Sequence, residues 1–250
     1  MPVVVVNAPG ATGSPHWSLV AAAALCNGLA ARAVPVTWLR VIVGDASASA
    51  PAPAPALPGV VVLEHRRAAA PLPQVAAANE DTALELTLVR LLRPLGADAA
   101  VVHLGAGAGG SPNVLWLADR LGLRTFAGLR FAELVCARGD LRHRTGTTCS
   151  RFDDAEWCRR CCASGWRKPH QSELQNRFDL LLGSLLTAER VVVDSSAGEA
   201  LLRQAGLAQD AITVAEALDQ QLLLAITSPA PAADGSRALR SRSPRSGSRS

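Results

Sequence analysis

The sequence predicts an α/β protein: a Rossmann-like, doubly wound, mostly parallel sheet carrying a Cys-rich insertion and ending in a disordered tail. Three observations lead there. Short valine-rich runs alternate with alanine- and leucine-rich stretches of helical length, the pattern of βαβ units whose strands are buried on both faces. Glycine-rich turns follow the first and the fourth of those runs. The apolar fraction of 49% over 250 residues is enough for one large core.

Taken in order, residues 3–6 are four consecutive valines ended by Asn7-Ala8-Pro9-Gly10, a buried strand and its turn. Residues 17–33 have the composition of a helix packed on that strand, and 35–43 form the second strand. Residues 46–58 alternate Ala, Ser and Pro without a charge, which predicts an extended loop. A third strand follows at 59–64, a leucine-rich helix at 79–95 and a fourth strand at 99–104. Gly105 opens the second glycine turn, and Ser111-Pro112 predicts a helix over 111–121 with Ser111 as N-cap and Pro112 in its first turn. Residues 124–129 make the fifth strand. Beyond the cysteines, 171–189 reads as a helix, 191–193 as a strand, 198–205 as a short helix with Asp194, Ser195 and Ser196 as its capping candidates, and 211–216 as the last strand. The expected division is a domain over 1–226 and a disordered Ser/Arg/Pro tail over 227–250.

The charge is unevenly placed. Arg237, Arg240, Arg242, Arg245 and Arg249 lie in the tail, and taking these five from the formal +4 leaves residues 1–236 at about −1. The body is therefore not a polyanion binder, and the tail alone predicts weak, sequence-blind attraction with no specific nucleic acid partner. The longest apolar stretch, 18–34, contains Asn27 and Arg32 and is too short to span a membrane. The opening apolar run lacks a basic n-region, so no secretory signal is expected and the expected compartment is cytoplasmic.

Five of the six cysteines fall within 136–162. Cys136, Cys149, Cys158 and Cys161 are spaced C-x12-C-x8-C-x2-C. A tetrahedral zinc ion takes four soft ligands, and a C-x-x-C turn supplies two of them, so a structural clip is expected; disulfides are the other form it takes. His143 is a candidate replacement ligand. A catalytic thiol is disfavoured because no base neighbours any one cysteine.

Four segments, in their order and spacing, resemble the N-terminal, acceptor-side domain of GT-B glycosyltransferases of family 4 (glycosyl transferase group 1). They are V-V-V-V-N-A-P-G-A-T-G at 3–13, A-V-V-H-L-G-A-G-A-G-G at 100–110, the run from Leu129 through the cysteines, and A-E-R-V-V-V-D-S-S-A-G-E-A-L-L-R-Q-A-G at 188–206. The cysteine run is similar to that of a Cys-rich subgroup. The resemblance covers roughly 3–226 and implies transfer of a sugar from a nucleotide-sugar donor, the co-substrate, to a sugar acceptor across a cleft between two Rossmann-like domains. The C-terminal donor domain is not among these residues, so the chain alone is expected to be inactive unless a separate donor-domain polypeptide supplies it. Peripheral membrane contact is a further partner the resemblance implies.

The candidate site residues lie at the C-terminal ends of the strands. Gly10, Gly13 and Gly105 would line the cleft, letting backbone amides approach a phosphate, although Gly10-x-x-Gly13 is not the G-x-G-x-x-G fingerprint and a plain tight turn is the competing reading. His103 and Arg130 are the candidate catalytic positions. His103 is otherwise a hydrogen-bonded structural residue, and Arg130 either holds an acceptor phosphate or carboxylate or is a surface charge. The resemblance departs here: His103-Leu104-Gly105 stands where the family shows His-x-His, Arg130-Phe131 stands for His-Asp, and Ala217-Leu218 stands for Asn-Gly. The reading from a different class is a non-catalytic binding or partner module stiffened by a four-cysteine zinc or disulfide clip.

Overall fold

A computed structural model describes residues 1–7, 17–43, 57–67, 82–96, 98–106, 111, 113–136, 141–142, 145–151, 153–163 and 171–228. Gly10, Gly13 and His143, most of the 46–58 loop and the tail from 229 lie outside the described residues. Seven parallel strands, β1 (Val3–Asn7), β2 (Val36–Val43), β3 (Val60–Arg67), β4 (Ala100–Leu104), β5 (Arg124–Leu129), β6 (Arg190–Val193) and β7 (Ile212–Val214), form one sheet in the order β3-β2-β1-β4-β5-β6-β7. The strand order reverses between β1 and β4, which makes the C-terminal ends of these two strands the topological switch point of a doubly wound sheet.

The helices divide between the two faces. One face carries α1 (Trp17–Ala30) and the last helix, α8 (Leu218–Thr227); the other carries α2 (Thr82–Leu92), α3 (Asn113–Arg120), α6 (Gln171–Leu185) and α7 (Ser196–Gln204). Of two short helices, α4 (Phe131–Val135) leads into the cysteine segment and α5 (Ala155–Cys161) lies within it. Successive strand residues serve opposite faces, as the pleat requires. Val192 packs with Leu25, Leu218 and Leu222 on one side, while Val191 and Val193 pack with Leu181, Leu185 and Leu202 on the other. Every residue of β1 and β4 is buried.

The structure corrects several boundaries. α1 stops at Ala30, where Ala33 takes a left-handed φ of 56° and the Arg32 guanidinium donates to the Gly28 carbonyl at 2.9 Å. The helix expected over 79–95 ends at Leu92 and passes into a 3₁₀ turn, Arg93–Leu95, because Pro94 has no amide hydrogen to continue the α ladder. α3 begins at Asn113, and the Ser111 hydroxyl donates to Glu85 Oε1 at 2.9 Å, tying the segment to α2. Ser195 is the N-cap of α7, accepting from the Gly198 amide at 3.3 Å. α8 is unforeseen. It runs where the sequence suggested only the way out of the domain, and it buries Leu218, Leu222 and Ile226 against α1, β5 and β6.

Gly128 in β5 and Gly28 in α1 are what let α8 lie so close. A Cβ at Gly128 would stand 2.8 Å from both Leu104 Cδ2 and Leu222 Cδ1, and one at Gly28 would stand 2.8 Å from Leu223 Cδ2. Gly128→Ala is expected to destabilise the domain by about 1–3 kcal/mol through overpacking. Adding Leu222→Ala to it should recover part of that loss, because the removed side chain is one of the two obstacles. Urea midpoints of the two variants, at unchanged denaturant slope, check this.

Candidate functional site

The residues that shape the C-terminal edge of the sheet come from four elements. Ala106 follows β4, Arg130 follows β5, Asp194 follows β6, and Arg177 reaches in from α6. Glu133, in the first turn of α4, is fully buried and accepts from the Ala106 amide at 3.1 Å and from the Arg130 amide at 3.0 Å. The second contact is the return half of a capping box, a third-position Glu reaching back to the N-cap amide. Arg177 Nη2 donates to the Ala106 carbonyl at 2.9 Å and to the Glu133 carbonyl at 3.4 Å. Both backbone groups of Ala106 are thus held by buried side chains of opposite charge. Asp194 Oδ1 accepts from the Phe131 amide at 2.7 Å, which laces the end of β6 to the start of α4.

Gly105, a predicted cleft residue, has a φ of 85° and donates its amide to the Gly128 carbonyl at 2.9 Å. That conformation is costly for any residue with a Cβ, so glycine here answers a backbone requirement. Arg130 is exposed at the same edge, its guanidinium lying 5.1 Å from the ring centroid of Trp17, the first residue of α1. His103, one residue before the end of β4, is 2% exposed, and its Nε2 has no hydrogen-bond partner among the described residues. Asn7, at the end of β1, is fully buried; it accepts from Trp38 Nε1 at 3.0 Å and leaves its Nδ2 without a partner among the described residues. Asn7 and His103 belong to the two strands that flank the switch point, where Asn7 is in register with Leu104. One position out of register along the pleat, the Asn7 and His103 side chains face opposite sides of the sheet.

Burial dominates the protonation of these groups. It pushes the Glu133 carboxyl up to about 7 against the opposing pull of its amide donors, Trp17 and Arg177, and it pushes His103 down to about 4, so the imidazole is neutral at physiological pH. Burial also lowers Arg177, countered by the charges of Cys136, Glu133 and Cys162. Chemically, the edge offers an exposed cation on an aromatic platform and a buried acid whose oxygens are already committed to backbone amides. Arg177 and Asn7 were not singled out from the sequence as site residues; for Glu133 the available signal was its place four residues after the end of β5, three after the N-cap Arg130.

The six cysteines are all free thiols. Cys136 caps the C-terminus of α4, Cys158 and Cys161 lie one turn apart on α5, and Cys149 closes a small hairpin by donating its amide to the Leu141 carbonyl. Burial, reinforced by the neighbouring charges of Cys136, Cys149, Cys161 and Asp154, raises Cys158 to about 11. Among the described His, Cys, Asp and Glu side chains no group of three is arranged to hold a metal ion, so the four predicted ligands do not form a metal site in this structure. A cavity of about 470 Å³, lined by Met1, Arg32, Val34, Arg124, Ile226 and Ser228, opens at the opposite, N-terminal edge of the sheet, away from all of these groups. No described helix is long and apolar enough to cross a membrane.

No protein-family profile matches the chain, and no curated relative does. Among solved structures it is similar to a UGT transferase from Siraitia grosvenorii in complex with UDP, at 14% identity over 85% of this chain with a TM-score of 0.46. It is also similar to a UGT of Arabidopsis thaliana complexed with UDP-L-rhamnose, at 17% identity over 85% and a TM-score of 0.42. A third is the E. coli trehalose-6-phosphate protein bound with UDP-2-fluoro glucose, at 10% identity over 81% and a TM-score of 0.41. The chain spans about half the length of these structures, 50%, 51% and 42% respectively.

Glu133 and His103 make opposite contributions to stability as the pH changes. Between pH 4.5 and 7 the unfolded chain has released the Glu133 proton while the folded chain retains it, so this carboxyl costs stability as pH rises. Between pH 4 and 6.5 the unfolded chain holds a proton on His103 that the folded chain lacks, so this imidazole adds stability as pH rises. Each effect is worth roughly 3 kcal/mol, and over their shared window they largely cancel. Glu133→Gln removes one of the two. The stability of the variant minus that of the natural chain should therefore climb by roughly 3 kcal/mol from pH 4.5 to 7, on top of a constant loss of about 1 kcal/mol for one forfeited amide contact. Parallel urea-midpoint profiles for the two proteins would refute the assignment.

Proposed function

We propose that this chain is the acceptor-side half of a GT-B glycosyltransferase of the family 4 type, Cys-rich subgroup, moving a sugar from a nucleotide-sugar donor to a sugar acceptor. The observation that carries the reading is the laced edge at the switch point. A fully parallel, doubly wound sheet presents its ligand crevice beyond the carboxyl ends of its strands. In this chain those ends are held rigid by Glu133, Arg177 and Asp194, while Arg130 is left exposed on Trp17. The order of the four sequence segments supports the same reading. Residues 1–226 form the acceptor domain, with 136–162 as its Cys-rich wall and 227–250 as a tail.

In this proposal Arg130 contacts an anionic group of the acceptor, a phosphate or carboxylate, and rigid placement of that group contributes by orientation. Gly10, Gly13 and Gly105 bring backbone amides to the rim that faces the donor half. His103, neutral and buried one residue before the end of β4, forms part of the floor of the crevice. The backbone amides and cations that stabilise the leaving diphosphate belong to the donor-binding half, contributed by a further domain or by a separate polypeptide. One observation favours a non-catalytic binding module: both oxygens of Glu133, the acid nearest neutrality, are engaged by backbone amides.

Calorimetry of the purified chain against nucleotide sugars and against phosphorylated or carboxylated sugars tests the reading. Binding of the anionic sugars is expected, weakened about tenfold in Arg130→Ala, with no turnover of nucleotide sugar by these residues alone. Turnover at about 1 s⁻¹ or faster would overturn the half-site assignment. A folded chain that binds neither class would overturn the glycosyltransferase reading itself.

A further inference from the structure

At the edge of the sheet opposite the crevice, three elements end or begin together. β5 starts there with Arg124, and α1 and α8, which pack side by side, both finish there. The chain leaves α1 through Ala33, whose left-handed φ of 56° turns it back, and Val34 and Pro35 lead straight into β2. α8 stops at Thr227, with Ser228 as its C-cap. Between these ends lies the cavity of about 470 Å³. Small-molecule sites run from roughly 300 to 1,000 Å³, mostly apolar with a few placed polar groups.

The lining has two sides of different chemistry. Val34, Pro35 and Ile226 make an apolar wall, Arg32 and Arg124 supply positive charge, and no carboxylate is among the described residues that line it. Glu189 takes two nitrogens of the Arg124 guanidinium, Nη2 at 2.7 Å and Nε at 3.1 Å. The third, Nη1, meets the Met1 thioether at 3.6 Å. A thioether is a weak acceptor, so an oxygen anion taking its place gains a charge-assisted hydrogen bond. Arg32, exposed beyond α1, spends Nη1 on the Gly28 carbonyl at 2.9 Å, which answers the negative end of that helix. Its remaining nitrogens have no hydrogen-bond partner among the described residues. At the end of α8 the hydroxyls are used as donors, Thr227 to the Leu223 carbonyl and Ser228 to the Leu224 carbonyl, each at 2.8 Å. What they offer the cavity is acceptor lone pairs, which direct an anionic head away from them and toward the arginines.

We propose that this cavity binds a small organic anion, a carboxylate or phosphate on a short apolar body, with Arg124 Nη1 and the Arg32 guanidinium on the head group and Val34, Pro35 and Ile226 against the body. Carboxylate and phosphate share the chemistry the site uses, oxygen acceptors for guanidinium donors. The Arg124–Glu189 pair stays intact on binding, because the nitrogen that meets the ligand is the one Glu189 does not hold. The ligand displaces only the Met1 side chain. Its contacts draw the ends of α1 and α8 and the start of β5 to a common group, so it stabilises the fold by mass action. The site lies away from Arg130 and stands whether or not the chain is half of a glycosyltransferase.

The test titrates the full chain with hexanoate, hexyl phosphate, hexanol and inorganic phosphate at one ionic strength, by calorimetry, with NMR shifts to locate the contact. At least one of the two hexyl anions should bind at about 1 mM or tighter, moving the Arg124 Nε signal and the Thr227 amide, and the tighter one names the head group. Hexanol should bind about tenfold more weakly. Arg32→Ala should weaken the anions about tenfold, Arg32→Lys by less. Thr227→Trp, filling the cavity from an exposed position, should abolish binding. The proposal is overturned if neither anion binds the folded chain by about 10 mM, or if the shifts fall at the Arg130 edge instead. Unchanged affinity in Arg32→Ala overturns it as well. Inorganic phosphate binding as tightly as hexyl phosphate overturns the apolar half of the site. Should Thr227→Trp fail to fold, the Arg32 variants and the NMR shifts decide. No sugar enters these measurements, so their outcome and that of the glycosyltransferase reading are separate.

Discussion

Ala106 is gripped at both backbone groups, its amide by Glu133 and its carbonyl by Arg177, and the candidate site depends on this grip. The loop after β4 leaves the sheet through Gly105, whose left-handed backbone is fixed by one amide bond to Gly128. A turn of this kind is free to swing unless the next residue is tethered. Two ionisable side chains from α4 and α6 do that, and each carries a desolvation cost of several kcal/mol, repaid only while every contact is made. Burial shifts Glu133 toward its neutral form and weakens the preference of Arg177 for its charged one. The pair therefore favours position over stability, as expected of groups that locate a site rather than hold a core together.

The balance between Glu133 and His103 has the same character. One is an acid that burial makes harder to ionise, the other a base that burial makes harder to protonate. Both near-neutral forms are compatible with the low dielectric at the C-terminal ends of β4 and β5, where a fixed charge without a partner would not be. The exposed cation at this edge, Arg130, lies over Trp17 with its charge in water. Buried groups set the shape of this edge, and under the proposed function Arg130 is the group that meets a ligand.

How much of this was legible in the sequence follows from the range of each interaction. The strands were readable because consecutive valines at 3–6, 101–102 and 191–193 leave no polar face, and only a strand covered on both sides tolerates that. The reversal of strand order between β1 and β4 is long-range and was inferred only as a class. α8 escaped because its leucines follow Asp219-Gln220-Gln221 at the exit of the last strand; what gives the helix its place is the space left by Gly28 and Gly128, each far away in the chain. Glu133 carried a local signal as a third-position helix acid, yet its bond to Ala106 spans 27 residues, and that of Arg177 spans 71. Arg177 sits in a leucine-bearing helix where an arginine ordinarily marks the solvent side. The spacing singled out four cysteines, while the packing of the hairpin on α5 through Cys161 and the Arg142 carbonyl is tertiary.

The first residue of the cysteine segment is tied to this edge, because Cys136 caps the same five-residue helix that carries Glu133. So short a helix cannot hold itself together in water, since the cost of nucleating a turn exceeds what one or two intrahelical bonds return. α4 must be held from outside, at its N-terminus by Asp194 and by the return of Glu133 to Arg130, and at its C-terminus by whatever fixes Cys136. Loosening the far end would let α4 turn about its near end and carry Glu133 away from the Ala106 amide, and a displacement of about 1 Å at a positioning contact is enough to impair orientation of a reacting group. A brace beyond the first turn of α4 is therefore a requirement of the geometry at Ala106, and Leu134, packed with Leu181 and Leu202 of α6 and α7, supplies it.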